Sequence, residues 1–216
     1  MHIIRGRKGD TLTRELLVEI VVPYAGVTVD VGAGDGGWAY RYAAAHPGRF
    51  VIAVDPVREN MREWSAKAGR KAGKGGLANV LFVVGSVEAP PEDLGGIADE
   101  VFVTLPWGSL MRGIILGDDV VLGGIASFAR AGATVRIVLN TRIFDDPVPI
   151  EVRDLPEVSP EYVMGTLGPA FARNGMRVVE SRWMDADEVA AIGTTWGKRL
   201  SHRAPPRSVE VVAIHE

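Results

Sequence analysis

The sequence has no cysteine among its 216 residues, which excludes a disulfide framework, a thiolate metal site and a cysteine nucleophile. Histidine is scarce too. The four present, His2, His46, His202 and His215, are scattered along the chain, so a histidine-built metal site is not expected. Positive charge has no excess: 24 Lys and Arg stand against 27 Asp and Glu, a net charge of −3. A globally basic nucleic-acid binder is therefore unsupported, and any RNA or DNA site has to be a local patch. No apolar run approaches the roughly 18–20 residues of a membrane span; the stretch Leu16–Val22 already carries Glu19. Residues Met1–Lys8 hold several charges and lack an apolar segment followed by a small-residue cleavage site. No membrane association and a cytoplasmic location are the expectations.

What is present is the balance of a globular protein, 47% hydrophobic and 24% charged, in a length that suits one domain over residues 1–216. Apolar runs alternate with amphipathic stretches, which predicts βαβ units and an α/β fold with a largely parallel sheet. Seven strands are expected: Gly26–Val31, Phe50–Val54, Val80–Val84, Glu100–Leu105, Thr134–Leu139, Arg177–Met184 and Val209–Ile214, the last added antiparallel at a sheet edge. Helices are expected over Trp38–Ala45, Arg58–Ala72, Ser109–Ile115, Val120–Ala129, Pro160–Asn174 and Asp187–Ile192. Residues 1–13 read as an N-terminal hairpin. Residues 141–160, with Pro147, Pro149, Pro156 and Pro160, read as an irregular insertion.

The segment Asp30-Val31-Gly32-Ala33-Gly34-Asp35-Gly36 falls where the first strand hands over to the first helix. Alternate glycines permit positive φ and a close backbone approach to a ligand, at the end of a parallel sheet where nucleotides bind. Asp55 closes the second strand 21 residues beyond Gly34, the spacing of a carboxylate that accepts from two ribose hydroxyls. A dinucleotide would set its pyrophosphate on the helix N-terminus, and Asp35 would repel it there. Asp30 instead suits a cationic amino-acid group, which favours S-adenosylmethionine over a nicotinamide dinucleotide. Glu88, just past the third strand, occupies a position that flanks the adenine in sheets of this type, although an exposed helix-start carboxylate fits the spacing equally well.

Leu105-Pro106-Trp107-Gly108-Ser109-Leu110 follows the fourth strand, over the place where a bound cofactor's methyl group would lie. A target base there needs an aromatic surface. Amino-methyltransferases often begin this motif with Asn or Asp; Leu105 argues against an exocyclic amine and for a ring nitrogen with no proton to remove. Trp196, within Thr194–Leu200, is a second candidate, although a tryptophan between glycines is often plain packing. Trp38, Trp64 and Trp183 sit in helix or strand patterns and read as structural. Three stretches carry no acid: Trp64–Val87 with Lys67, Arg70, Lys71 and Lys74; Val120–Phe144 with Arg130, Arg136 and Arg142; Val189–Val209 with Lys198, Arg199, His202, Arg203 and Arg207. Such segregation in an acidic protein points to a polyanion-facing surface, against the plainer reading of solvated faces.

Together Asp30–Gly36, Lys74–Asn79 (KGGLAN), Pro106–Leu110 (PWGSL) and Thr195–Leu200 (TWGKRL) resemble the aminoglycoside-resistance 16S ribosomal RNA (adenine-N1)-methyltransferases, which act on adenine 1408 in the decoding helix. Ala33 departs from the Thr expected in the glycine-rich loop, and 145–160 does not match. The resemblance implies a Rossmann-like class I methyltransferase fold, S-adenosylmethionine as cofactor, and helix 44 of the 30S subunit as partner to a monomeric enzyme. It implies that Asp30, Gly32, Gly34, Asp55, Val87, Glu88, Leu105, Thr194 and Thr195 form the cofactor site, and that Trp107 and Trp196 sandwich the flipped base. It also implies that Lys67, Arg70, Lys71 and Lys74 grip the RNA backbone, while Arg199, Arg203 and Arg207 hold phosphates. A tRNA guanine-N7 methyltransferase, a small-molecule methyltransferase and a non-catalytic RNA-binding protein remain open alternatives.

Overall fold

The structure, a computed structural model, describes residues 1–141, 153–193 and 208–216. Its strands are β1 (His2–Arg5), β2 (Lys8–Thr11), β3 (Gly26–Val31), β4 (Arg49–Asp55), β5 (Val80–Val84), β6 (Ala98–Thr104), β7 (Ala129–Asn140), β8 (Met176–Met184) and β9 (Ser208–His215). They form one sheet in the order β2-β1-β5-β4-β3-β6-β7-β9-β8. The five central strands run parallel, as the alternation with helices requires. All six residues of β3 are buried, the mark of a strand covered on both faces. Along β4 the side chains part by turns. Phe50, Ile52 and Val54 join the larger core with Leu17 of helix α1 (Arg14–Val21) and with helices α4 (Gly108–Leu116) and α5 (Asp119–Phe128), whereas Val51 and Ala53 join a smaller one with α2 (Gly37–Ala45) and Met61. No helix among the described residues is long and apolar enough to cross a membrane.

Several sequence expectations need correction. The C-terminal strand is not at the edge: β9 lies between β7 and β8, antiparallel to both, and β8 takes the edge. The reason is visible in burial, since Val209, Val211 and Ala213 are fully enclosed while Val179 and Trp183 of β8 stay exposed. The N-terminal hairpin forms as expected and also joins the sheet, pairing His2 and Ile3 with Val84 and Val83 of β5, so the sheet has nine strands. The long basic helix shrinks to α3 (Arg62–Ala68). Gly69 ends it, and Leu77 N–H donates back to Ala68 C=O at 3.0 Å, folding residues 69–76 into a loop with one short 3-10 turn. The insertion is less irregular than its prolines suggest. Residues 142–152 lie outside the described residues, but Leu155 and Val158 are buried in the larger core. Beyond them α6 (Pro160–Tyr162), a π turn (Val163–Leu167) and α7 (Gly168–Arg173) make the predicted helical stretch, and α8 (Ala186–Ala191) follows β8.

Candidate cofactor and base cleft

A cleft of about 440 Å³ opens at the C-terminal ends of β3, β4, β5 and β6. Gly32, Gly34, Asp55, Val87, Glu88, Leu105 and Trp107 all line it. The turn after β3 has φ of 69° at Gly32, 58° at Gly34 and 74° at Gly36, values that L side chains adopt only at a cost. A Cβ on Gly32 would come 2.6 Å from Leu110 and one on Gly36 would come 2.5 Å from Phe82, so those two glycines serve packing. Gly34 differs: a Cβ there would meet nothing within 4 Å. Its bare backbone faces open cleft, the surface a ligand can approach closely.

Asp55 ties the cleft walls together. Its Oδ2 accepts from Gly34 N–H at 2.8 Å and its Oδ1 from Val57 N–H at 2.8 Å, which leaves each oxygen a further lone pair for a diol. Burial raises its pKa, and these two N–H groups pull it back. Asp30 does not line the cleft; it is 3% exposed and immediately precedes Val31, where the lining begins. Burial drives its pKa well above the ordinary range, and the nearby charges of Asp55 and Asp35 add to the shift. Its Oδ2 is buried without a hydrogen-bond partner. An orphaned carboxylate oxygen is costly unless a donor arrives, so this residue fits a cationic ligand group. Asp35 Oδ1 accepts from Gly37 N–H at 2.8 Å at the start of α2. The helix N-terminus thus already faces a carboxylate, which disfavours a pyrophosphate there.

Glu88 Oε1 accepts from the Ser109 hydroxyl at 3.1 Å, joining the loop after β5 to the first turn of α4. Its own backbone N–H, then the Ser86 and Ser109 hydroxyls, hold its pKa down against burial. Leu105 has φ of 50°, the only non-glycine in the left-handed region among the described residues. Its N–H donates to Val138 C=O at 2.9 Å and its side chain packs with Val138, Met184 and Val189. That strained backbone turns the chain so that Trp107, the residue before α4, stands on the cleft 54% exposed. Sequence reasoning missed Trp38 as a lining residue. Its place in the first turn of α2, next to the glycine loop, was the available signal.

The basic candidates divide. Lys67 is half-buried, its Nζ 4.7 Å from the rings of both Tyr40 and Trp64. Arg70, Lys71 and Lys74 are exposed. The second acid-free stretch is not acid-free in space, because Arg130 pairs with Asp99 and Arg136 with Glu210. Those two arginines are therefore each answered by a carboxylate. Asn79 of the KGGLAN motif is structural: its amide donates to the carbonyls of Ala43, His46 and Arg49 at 2.9, 3.3 and 2.9 Å. Thr194, Thr195, Trp196, Arg199, Arg203 and Arg207 lie outside the described residues.

A parallel sheet in this strand order, with a glycine loop and a carboxylate after its first two parallel strands, defines a Rossmann-like fold of the methyltransferase class. Within that class the chain belongs to the NpmA family, 16S rRNA (adenine(1408)-N(1))-methyltransferase, whose model matches residues 2–215. A 16S rRNA (adenine(1408)-N(1))-methyltransferase of Streptoalloteichus hindustanus is 40% identical over 178 residues, 82% of this chain and 81% of the relative. One from Escherichia coli is 32% identical over 202 residues, 93% of this chain and 92% of the relative. The crystal structure of a mutant 16S rRNA (adenine(1408)-N(1))-methyltransferase with cosubstrate SAM, from Catenulisporales acidiphilia, is similar with a TM-score of 0.92 and 36% identity, covering 100% of this chain and 96% of that one.

Proposed function

We propose that this chain transfers a methyl group from S-adenosylmethionine to N1 of adenine 1408 of 16S rRNA within the 30S subunit, and that the modification confers aminoglycoside resistance. The observation that carries this reading is the position of Trp107, exposed on the same cleft that the Gly34 backbone and the Asp55 carboxylate line. A flat ring and a nucleotide-shaped site share one opening.

S-adenosylmethionine, when bound, supplies a methyl group activated on a sulfonium. The orphaned Oδ2 of Asp30 would accept from its ammonium, Asp55 would accept from the ribose hydroxyls, and Val87 and Glu88 would flank the adenine. Leu105 turns the chain over the methyl position. Trp107 would stack on the target base, with Trp196 supplying the second face and Thr194 and Thr195 near the reacting end. Neutral adenine N1 carries a lone pair and no proton, so no residue has to act as a base. The chain's part is alignment, and each base–tryptophan stack, worth about 1–3 kcal/mol, helps offset the few kcal/mol of flipping. The alkylated base is cationic, and a ring face stabilises that charge as well. Lys67, Arg70, Lys71 and Lys74, with Arg199, Arg203 and Arg207, would hold the RNA backbone.

The test is methyl transfer from labelled S-adenosylmethionine to 30S subunits, with naked 16S RNA and tRNA alongside, followed by reverse transcription across the decoding helix. A stop at adenine 1408 on 30S alone is the expected result. Label on tRNA in place of 30S would move the assignment to a tRNA methyltransferase, and cofactor binding with no label on any RNA would leave a non-catalytic binder.

A further inference from the structure

Most described arginines of this chain have their charge answered. Arg49, Arg112, Arg130, Arg136, Arg173, Arg177 and Arg182 each pair with a carboxylate, and Arg14 and Arg41 donate to backbone carbonyls. Arg5, Arg7, Arg62 and Arg70 do neither, and all four are exposed. Arg7, Arg62 and Arg70 line one cavity of about 570 Å³ between the turn of the N-terminal hairpin and α3.

The cavity walls are fixed to each other. Gly6 N–H donates to Ser65 Oγ at 2.9 Å in a buried contact, and a Cβ on Gly6 would come 2.9 Å from Cβ of Ala66. With φ of 65°, Gly6 lets the turn lie flat on the helix. Arg58 Nη2 donates to Arg7 C=O at 2.8 Å and clamps the other side of the turn. Guanidinium groups from segments more than 50 residues apart therefore share one rigid surface. It continues at Arg70 into the exposed Lys71 and Lys74. Glu59 and Glu63 line the same cavity. Two carboxylates among three guanidinium groups leave a modest positive excess, which suits a singly charged phosphodiester better than a small multivalent anion.

We propose that the hairpin turn and α3 form an rRNA-backbone docking surface, in which Arg7 and Arg62 join Arg70 in contacting phosphates. This rests on the reading that the chain modifies 16S rRNA. Contacts from two rigidly joined elements fix the register of a protein on folded RNA while carrying no base information.

The experiment compares wild type, Arg7→Glu with Arg62→Glu, and Lys71→Glu in equilibrium binding to 30S subunits across a potassium chloride series. The double variant is expected to lose about tenfold or more in affinity at low salt and to shallow the slope of log K against log salt by about 1.5, since each phosphate contact contributes roughly 0.7–0.9. KM for 30S should rise with kcat, cofactor affinity and melting temperature unchanged. If the glutamates unfold the turn, Arg7→Gln with Arg62→Gln provides the same comparison. Unchanged affinity and slope in the double variant, with Lys71→Glu weakened, would overturn this surface and leave the rRNA reading standing. A wild-type protein that neither binds nor methylates 30S would overturn both.

Discussion

Asp55 Oδ2 and Gly34 N–H meet at 2.8 Å, so the carboxylate that closes the second parallel strand also sets the height of the glycine loop after the first. In the proposed function one residue thus serves two partners, the loop and the ribose. Asp55→Ala removes both, and two charge-assisted hydrogen bonds of about 1.5 kcal/mol each correspond to roughly a 100-fold loss of S-adenosylmethionine affinity. Asp55→Asn keeps one carbonyl acceptor and should fall between. Calorimetric titration checks this, and an alanine variant that binds within threefold of wild type would remove Asp55 from the cofactor site.

Asp30 makes the ligand-free protein sensitive to pH in a specific direction. Its pKa in the fold lies well above its ordinary 3.8, chiefly through burial. As pH rises from about 4, the unfolded chain ionises this group while the folded one keeps the proton, so its contribution to stability falls over that window. Asp30→Asn lacks the effect. The melting temperature of Asp30→Asn minus that of wild type should therefore grow between pH 4 and pH 7 without cofactor. Because an ammonium partner favours the carboxylate, S-adenosylmethionine binding should release a proton from wild type and none from Asp30→Asn, readable in buffers of different ionisation enthalpy. A melting difference that does not change with pH would sink the argument.

Leu105 should reverse a familiar order of stabilities. Both Leu105→Ala and Leu105→Gly empty the contact with Val138, Met184 and Val189, at a cost of about 2–5 kcal/mol. Glycine is ordinarily worse than alanine by roughly 0.5–1 kcal/mol. Here φ is 50°, a conformation that costs an L side chain about 1–2 kcal/mol, and only glycine escapes that cost. Denaturant titration should find Leu105→Gly at least as stable as Leu105→Ala; a clearly weaker glycine variant would mean the strain is not there.

What was legible in the sequence was what is local. Gly32, Gly34 and Asp55 could be placed because a strand end, a turn and a short spacing fix them, and Trp107 because it comes three residues after a strand end. The same rule put Glu88 near the cleft without revealing its bond to Ser109. What was illegible needed partners distant in sequence. Nothing near Arg136 announces Glu210, which reaches it only because β9 inserts beside β7. Nothing in Gly6 announces Ser65. The left-handed turn at Leu105 is set by Val138 across the sheet, against the residue's own preference.

Trp107 separates catalysis from binding. Trp107 is 54% exposed, so Trp107→Ala should leave the melting temperature within a few degrees of wild type. The groups proposed to bind the cofactor, Asp30, Gly34 and Asp55, lie on β3, β4 and the loop between β3 and α2, so affinity for S-adenosylmethionine should change less than tenfold. Methyl transfer to 30S should collapse, because a flipped adenine without its platform loses about 1–3 kcal/mol of stacking together with the alignment that makes N1 a nucleophile in line with the methyl group. Trp107→Phe restores a ring and should recover a measurable part of the rate. Single-turnover methylation and calorimetric cofactor titration on the same preparations distinguish the cases. Were cofactor affinity to collapse in the alanine variant, Trp107 would be a wall of the cofactor pocket, and the base platform would have to be sought elsewhere on the cleft.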